Sequence, residues 1–162
     1  MGYLRERRKP SESMSMVNPS KTLPGRCHCG LLSVEFSTTQ EPATLHPRAC
    51  DCSFCRKHGA AWISDPAGTL SVSARGAATL REYRQGSEAA RFLLCAHCGV
   101  LVAVVYEQDA RVHGAVNAGC LDGEPGLADA VPASPQRLSA EEKISRWLQV
   151  WVPDVVLTSS EP

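Results

Sequence analysis

The chain is poor in aromatic residues (6%), carries no excess of either charge (17 basic and 17 acidic residues), and has no uninterrupted apolar stretch of the ~18 residues that a membrane-spanning helix needs. Each shortage excludes something. Without a long apolar run, no membrane partner is expected. With zero formal net charge, binding to nucleic acid has no electrostatic footing, so no nucleic acid is expected either. The early basic residues Arg5, Arg7, Arg8 and Lys9 are not followed by an apolar segment, so no secretory signal is read there. The expected location is cytoplasmic, a reducing compartment in which thiols stay free or bind metal.

Cysteine is what the chain has in plenty. Seven of its eight cysteines fall into three clusters: Cys27 and Cys29, then Cys50, Cys52 and Cys55, then Cys95 and Cys98. Disulfides are disfavoured by the reducing compartment and by the Cys-x-Cys spacing, which is too short to bridge internally without strain. Metal binding is the better reading. The pairs Cys27/Cys29 and Cys95/Cys98 lie far apart and are each followed by glycine, Gly30 and Gly99. Two such knuckles make one closed tetrahedral zinc site that staples a fold. Glycine after each pair lets the backbone turn so that its amides face the sulfurs. Cys50, Cys52 and Cys55 remain as a trio. Three protein ligands with an open fourth position are the pattern of a reactive zinc site. Cys120, His46, His58 and His97 are the donors that could instead close it, and the open site is the expectation. His28 and His97, each inside a knuckle, are read as loop residues. Arg48, Arg56, Lys57 and Arg91 flank the clusters, either as counter-charges or solvated residues, or as binders of a substrate carboxylate.

Along the chain, residues 1–24 read as a disordered leader, with Met14 and Met16 as alternative starts. Residues 25–153 form the zinc-binding domain, and 154–162 a C-terminal tail. The domain is a series of short β signals: alternation over 32–36, a weak candidate at 44–46, a short apolar run at 61–63, and clean alternation over 69–74. Residues 80–83 and 88–94 follow, then a continuous apolar run over 100–106 and a last strand over 111–116. Residues 119–139 read as an irregular connection. Ser139 and Glu142 form a capping box ahead of a helix whose apolar face is Ile144, Trp147, Leu148 and Trp151, and Pro153 is expected to end it. The expected class is mainly β, with a short C-terminal helix.

Three motifs, Gly25-Arg-Cys-His-Cys-Gly30, Cys50-Asp-Cys-Ser-Phe-Cys-Arg-Lys-His-Gly59 and Cys95-Ala-His-Cys-Gly99, resemble the glutathione-dependent formaldehyde-activating enzyme family, which also includes centromere protein V. The resemblance runs from about Gly25 to Asp122. It implies an Mss4-like, β-tent fold of short antiparallel strands around zinc knuckles. It implies two Zn²⁺ per chain: a structural ion on Cys27, Cys29, Cys95 and Cys98, and a catalytic one on Cys50, Cys52 and Cys55. The activity implied is that of a carbon–sulfur lyase acting on a thiol–aldehyde adduct, with glutathione and formaldehyde as partners in forming S-hydroxymethylglutathione. The chain departs from the family pattern just before Cys95 and in the tail, where a His-containing stretch is replaced by Glu142-Lys-Ile-Ser-Arg-Trp147. That departure bears on the substrate, not on the metal sites. Two other readings stand beside the enzyme: a non-catalytic zinc module of the centromere protein V type, and a thiol switch using the trio.

Overall fold

The computed structural model describes residues 20–161. Residues 1–19, most of the expected leader, lie outside the described residues. Thirteen elements of regular structure, apart from short 3₁₀ turns, run in the order β1 (Lys21–Arg26), β2 (Leu32–Thr38), β3 (Arg48–Cys50), α1 (Ser53–His58), β4 (Ala61–Ile63), β5 (Thr69–Arg75), β6 (Leu80–Tyr83), β7 (Arg91–Cys95), β8 (Leu101–Gln108), β9 (Arg111–Asn117), β10 (Val131–Ala133), α2 (Ala140–Val150) and β11 (Val156–Ser160). They form two sheets, one of four strands in the order β1-β2-β5-β11 and one of seven in the order β10-β3-β4-β9-β8-β7-β6. The fold is mainly β, as the patterning indicates.

Side-chain alternation explains how the sheets face each other. In β2, Leu32, Val34 and Phe36 are buried while Ser33 and Glu35 are exposed, and in β5 Leu70, Val72 and Ala74 are buried. These rows meet Leu93, Val105 and Val116 of the large sheet in the main core. The opposite face of the large sheet is also covered. There Phe92, Val104 and Ala115, aligned across β7, β8 and β9, join Trp62 and Trp151 in a second core that includes Cys50 and Cys55. A strand buried on both faces has no polar alternation, which is why 101–105 is continuously apolar.

Several elements differ from those the local pattern predicts. Residues 21–24, assigned to the leader, are in β1. They pair with β2 from Lys21↔Thr38 onward, and Leu23 packs on the main core. A polar edge strand has no periodic signal of its own. The weak candidate at 44–46 is not a strand: Pro42–Thr44 is a 3₁₀ turn, Leu45 enters the core, and β3 begins only after Pro47. The strand expected from Glu88 starts at Arg91, because Glu88 sits in a turn at φ 58°.

The triple-cysteine stretch holds a helical turn, α1, that no periodicity announces in six residues. The connection 119–139 contains β10, parallel to β3, and the tail contains β11, parallel to β5. The capping box is present: the Ser139 amide donates to Glu142 Oε2 (2.7 Å) and the Glu142 amide to Ser139 Oγ (3.1 Å). The helix stops before Pro153, at Val150, whose carbonyl accepts the Ser64 hydroxyl at 2.6 Å. Trp151 is therefore beyond the helix, in extended backbone, and buried. Residues 152–155 then clamp onto β9, through paired Gly114–Val152 bonds of 2.9 Å and a Val155 amide bond to Val112.

Candidate metal centres and the cleft

Cys27 and Cys29 lie in the β1–β2 turn of the small sheet; Cys95 ends β7 and Cys98 lies in the β7–β8 turn of the large one. The fold brings the two turns together so that all four sulfurs lie within 4.8 Å of one another. The Cys29 sulfur is 3.6 Å from both Cys27 Sγ and Cys95 Sγ. Four thiolates at ~2.3 Å from one tetrahedral zinc are about 3.8 Å apart, so the spacing fits that ion. Each knuckle closes on the carbonyl of its first cysteine, over three residues in one and four in the other. The Gly30 amide donates to the Cys27 carbonyl (3.1 Å) and the Gly99 amide to the Cys95 carbonyl (2.9 Å). Both glycines stand at positive φ, 81° and 78°, where a side chain would be strained. Backbone amides also reach the sulfurs, Leu32 N to Cys27 Sγ at 3.2 Å and Cys98 N to Cys95 Sγ at 3.5 Å. Such donors stabilise thiolates.

The second cluster is local. Cys50 ends β3, Cys52 is the N-cap of α1, and Cys55 lies inside α1. The Cys55 amide donates to Cys52 Sγ at 3.4 Å, so the cap that starts the helix also orients a candidate ligand. The three sulfurs lie within 4.8 Å of one another. The neighbouring Cys55 thiol lowers the pKa of Cys50 to about 6, and the nearness of Cys50 together with burial pushes Cys55 well above the ordinary thiol range. Three sulfurs this close form a donor set suited to a soft or borderline cation.

Among the described residues no fourth Cys, His, Asp or Glu joins the trio. Cys120 is buried in the main core with its sulfur toward the Val102 carbonyl, and burial pushes its thiol up to about 12. His46 is exposed and bonds the Asp129 carbonyl through Nδ1. His58 packs on the Phe54 ring, and His28 and His97 are exposed.

The trio opens into a cleft of about 640 Å³. Trp62, Phe92 and Trp151 form its apolar floor, and Trp147 of α2 forms a wall, stacked on Trp151 with centroids 4.8 Å apart. Gln85, from the β6–β7 turn, directs Nε2 at Cys52 Sγ from 3.9 Å. Asp51 fastens the trio to the rim. Its amide bonds the Ala133 carbonyl of β10 at 2.9 Å, and its Oδ2 accepts the Ser134 hydroxyl at 2.5 Å. Of the four flanking cations, Arg48 alone lines the cleft. Arg91 pairs with Glu82 (2.8 Å) and Glu107 (3.4 Å), while Arg56 and Lys57 are exposed. The sequence reading missed Gln85, Ser134, Lys143 and Arg146 as cleft residues. Only the helical face that includes Trp147 carried a signal, because α2 and the β6–β7 turn meet the trio only in three dimensions.

The fold and its cysteines define a class: a β protein with two cysteine clusters able to hold metal ions, one closed and one facing a cleft. Residues 22–135 match the glutathione-dependent formaldehyde-activating enzyme family, and the chain belongs to it. A crystal structure of a Rhodobacter sphaeroides protein is similar, with 29% identity and a TM-score of 0.50, covering 67% of this chain and 100% of that one. No curated protein matches the chain. Among the described residues no helix is long and apolar enough to cross a membrane.

Proposed function

We propose that the chain is a zinc-dependent carbon–sulfur lyase that joins and releases a thiol and an aldehyde, with glutathione and formaldehyde as the pair. The observation that carries this is the trio of Cys50, Cys52 and Cys55, which has no fourth protein ligand among the described residues and faces a cleft large enough for a small peptide. Cys27, Cys29, Cys95 and Cys98 would hold a structural zinc, and the trio a second. Zinc bound at the trio would supply Lewis acidity and keep a sulfur deprotonated at neutral pH.

The chain's own residues do the rest. Trp62, Trp147 and Trp151 keep water from the reacting atoms and hold the substrate near the trio. In the forward direction the substrate's thiolate sulfur forms a bond to the aldehyde carbon, the carbonyl π pair moves to oxygen, and that oxygen takes up a proton. The lyase direction breaks the same carbon–sulfur bond and returns the proton. Gln85 Nε2, beside Cys52, offers a neutral donor for the oxygen that gains charge.

The test combines zinc content with exchange between ¹³C-formaldehyde and S-hydroxymethylglutathione, followed by NMR. About two zincs per chain and exchange faster than the uncatalysed adduct are expected, with Cys52→Ser losing about one zinc and the acceleration. Two zincs with no acceleration refute the lyase reading and leave a binding module.

A further inference from the structure

The cleft has a charge imbalance. Its lining includes Arg48, Lys143 and Arg146 but no aspartate or glutamate. In a chain with as many acidic as basic residues, that segregation is notable in one cavity. The ion pairs among the described residues are Lys21–Glu41, Arg26–Asp122, Arg91 with Glu82 and Glu107, and Arg111–Asp154, and none of them engages the three cleft cations. Counter-charge for the trio does not account for all three. Three thiolates around a divalent ion sum to one negative charge and the Asp51 carboxylate beside them adds another, which leaves a surplus of one positive charge.

The placement is specific. Arg48 and Cys50 are two apart on β3, so both project from the same face of the strand. On α2, Lys143, Arg146, Trp147 and Val150 recur at spacings of three and four, which puts the two cations and the aromatic wall on one face of the helix. Arg48 is half-buried. One of its five N–H donors is used by Ser64 Oγ at 2.8 Å, and this hydroxyl in turn holds the last carbonyl of α2. Arg48, half-buried with free N–H donors, and Arg146, exposed, line one cavity whose lining holds no carboxylate, an incomplete arrangement that an anion completes.

We infer that Arg48 and Arg146, assisted by Lys143, clamp a carboxylate of the thiol substrate and make this cleft selective for anionic thiols. The inference rests on the proposed thiol–aldehyde reading of the trio and adds a specificity determinant to it. Arg146 and Lys143 lie beyond residues 22–135, the part that matches the family, so the half of the clamp on α2 belongs to this chain's own C-terminal helix. The carboxylate end is held between β3 and α2, and the sulfur end extends toward Cys50 along the same strand face.

The experiment is ligand binding to the zinc-loaded protein, read by intrinsic fluorescence. All three tryptophans, Trp62, Trp147 and Trp151, line the cleft, so the signal comes from there. The probe is S-methylglutathione, a thioether with no thiolate to offer a metal, compared with its diester. The diester is expected to bind at least about tenfold more weakly, and Arg146→Gln to weaken the free acid about 10- to 100-fold, the range for charge-assisted hydrogen bonds. Arg146→Gln is the decisive variant, since its side chain has no hydrogen-bond or ion-pair partner among the described residues and its loss should not unfold the domain. Arg48→Gln should act likewise, and Arg56→Gln, an exposed charge outside the cleft, should leave binding unchanged. In turnover, Arg146→Gln should raise KM for glutathione more than it lowers kcat.

Equal binding of acid and diester, no binding of the acid to the wild type, or Arg146→Gln within twofold of wild type overturns the clamp. Anion binding that depends on Arg146 in a protein that does not accelerate the adduct reaction sustains the clamp and refutes the lyase reading. Turnover whose KM is indifferent to Arg146 does the reverse.

Discussion

Removing a ligand from the four-cysteine cluster should cost far more stability than removing one from the trio, and the structure gives the size of the difference. With zinc bound, Cys29 and Cys95 are joined through one ion although they are 66 residues apart. The link ties a turn of the small sheet to a turn of the large one. Treated as a cross-link that restricts the unfolded chain, a loop of this length contributes about 4.4 kcal/mol at 25 °C. That is a large share of the ~5–15 kcal/mol of a typical domain. With an unfolding entropy of about 2.1 cal/mol/K per residue over about 140 described residues, it amounts to about 15 °C in Tm. The trio spans only Cys50–Cys55, a loop for which the same relation gives about 2 kcal/mol, and it joins β3 to the helix that directly follows. Calorimetry on zinc-loaded wild type, Cys95→Ser and Cys52→Ser tests this. Cys95→Ser should melt about 15 °C lower or fail to fold, and Cys52→Ser should lose half of that or less. Equal shifts for the two variants, or a loss of only a few degrees for Cys95→Ser, would refute the assignment of the outer cluster as the structural site.

Asp65 is buried, and burial alone would raise its pKa, but hydrogen bonds from Thr38 Oγ1 (2.6 Å), the Ala67 amide and neighbouring groups outweigh that and hold it below the usual range. Its contribution to stability is therefore present above the unfolded carboxylate pKa of about 3.9 and is lost as pH falls through the lower folded value. Urea melts as a function of pH should show an acid limb that Asp65→Asn flattens, at a cost of about 1–3 kcal/mol at neutral pH. Ser134→Ala removes the bond to Asp51 and leaves a carboxylate whose Oδ1 is already buried without a partner. A loss of about 1–3 kcal/mol, with faster hydrogen exchange at the Asp51 amide, is expected. Gly25→Ala should be severely destabilising, because its Cβ would lie 2.4 Å from the Cys120 carbonyl oxygen; a Tm unchanged within 2–3 °C, roughly 1 kcal/mol or less, contradicts that packing.

Much of this molecule is written in stretches of six to eight residues. The cysteine knuckles, the alternation of 32–36 and 69–74, the doubly buried run of β8 and the Ser139–Glu142 capping box are each set by neighbours in the chain, so the sequence by itself determined them. It also separated the trio from the two outer pairs, because two knuckles complete a tetrahedron without it. Only the tertiary structure decided the rest. β1, β10 and β11 are short, polar or proline-containing edge strands that exist because a partner strand is there. The trio's open side depends on where Cys120 and the histidines go, and packing sends Cys120 into the main core. The cleft itself is formed by β3, the β6–β7 turn and α2, segments up to about a hundred residues apart, so no local pattern could place Arg146 or Trp147 opposite Cys50. Local chemistry determined which residues could hold a metal, and long-range packing decided what lies beside it.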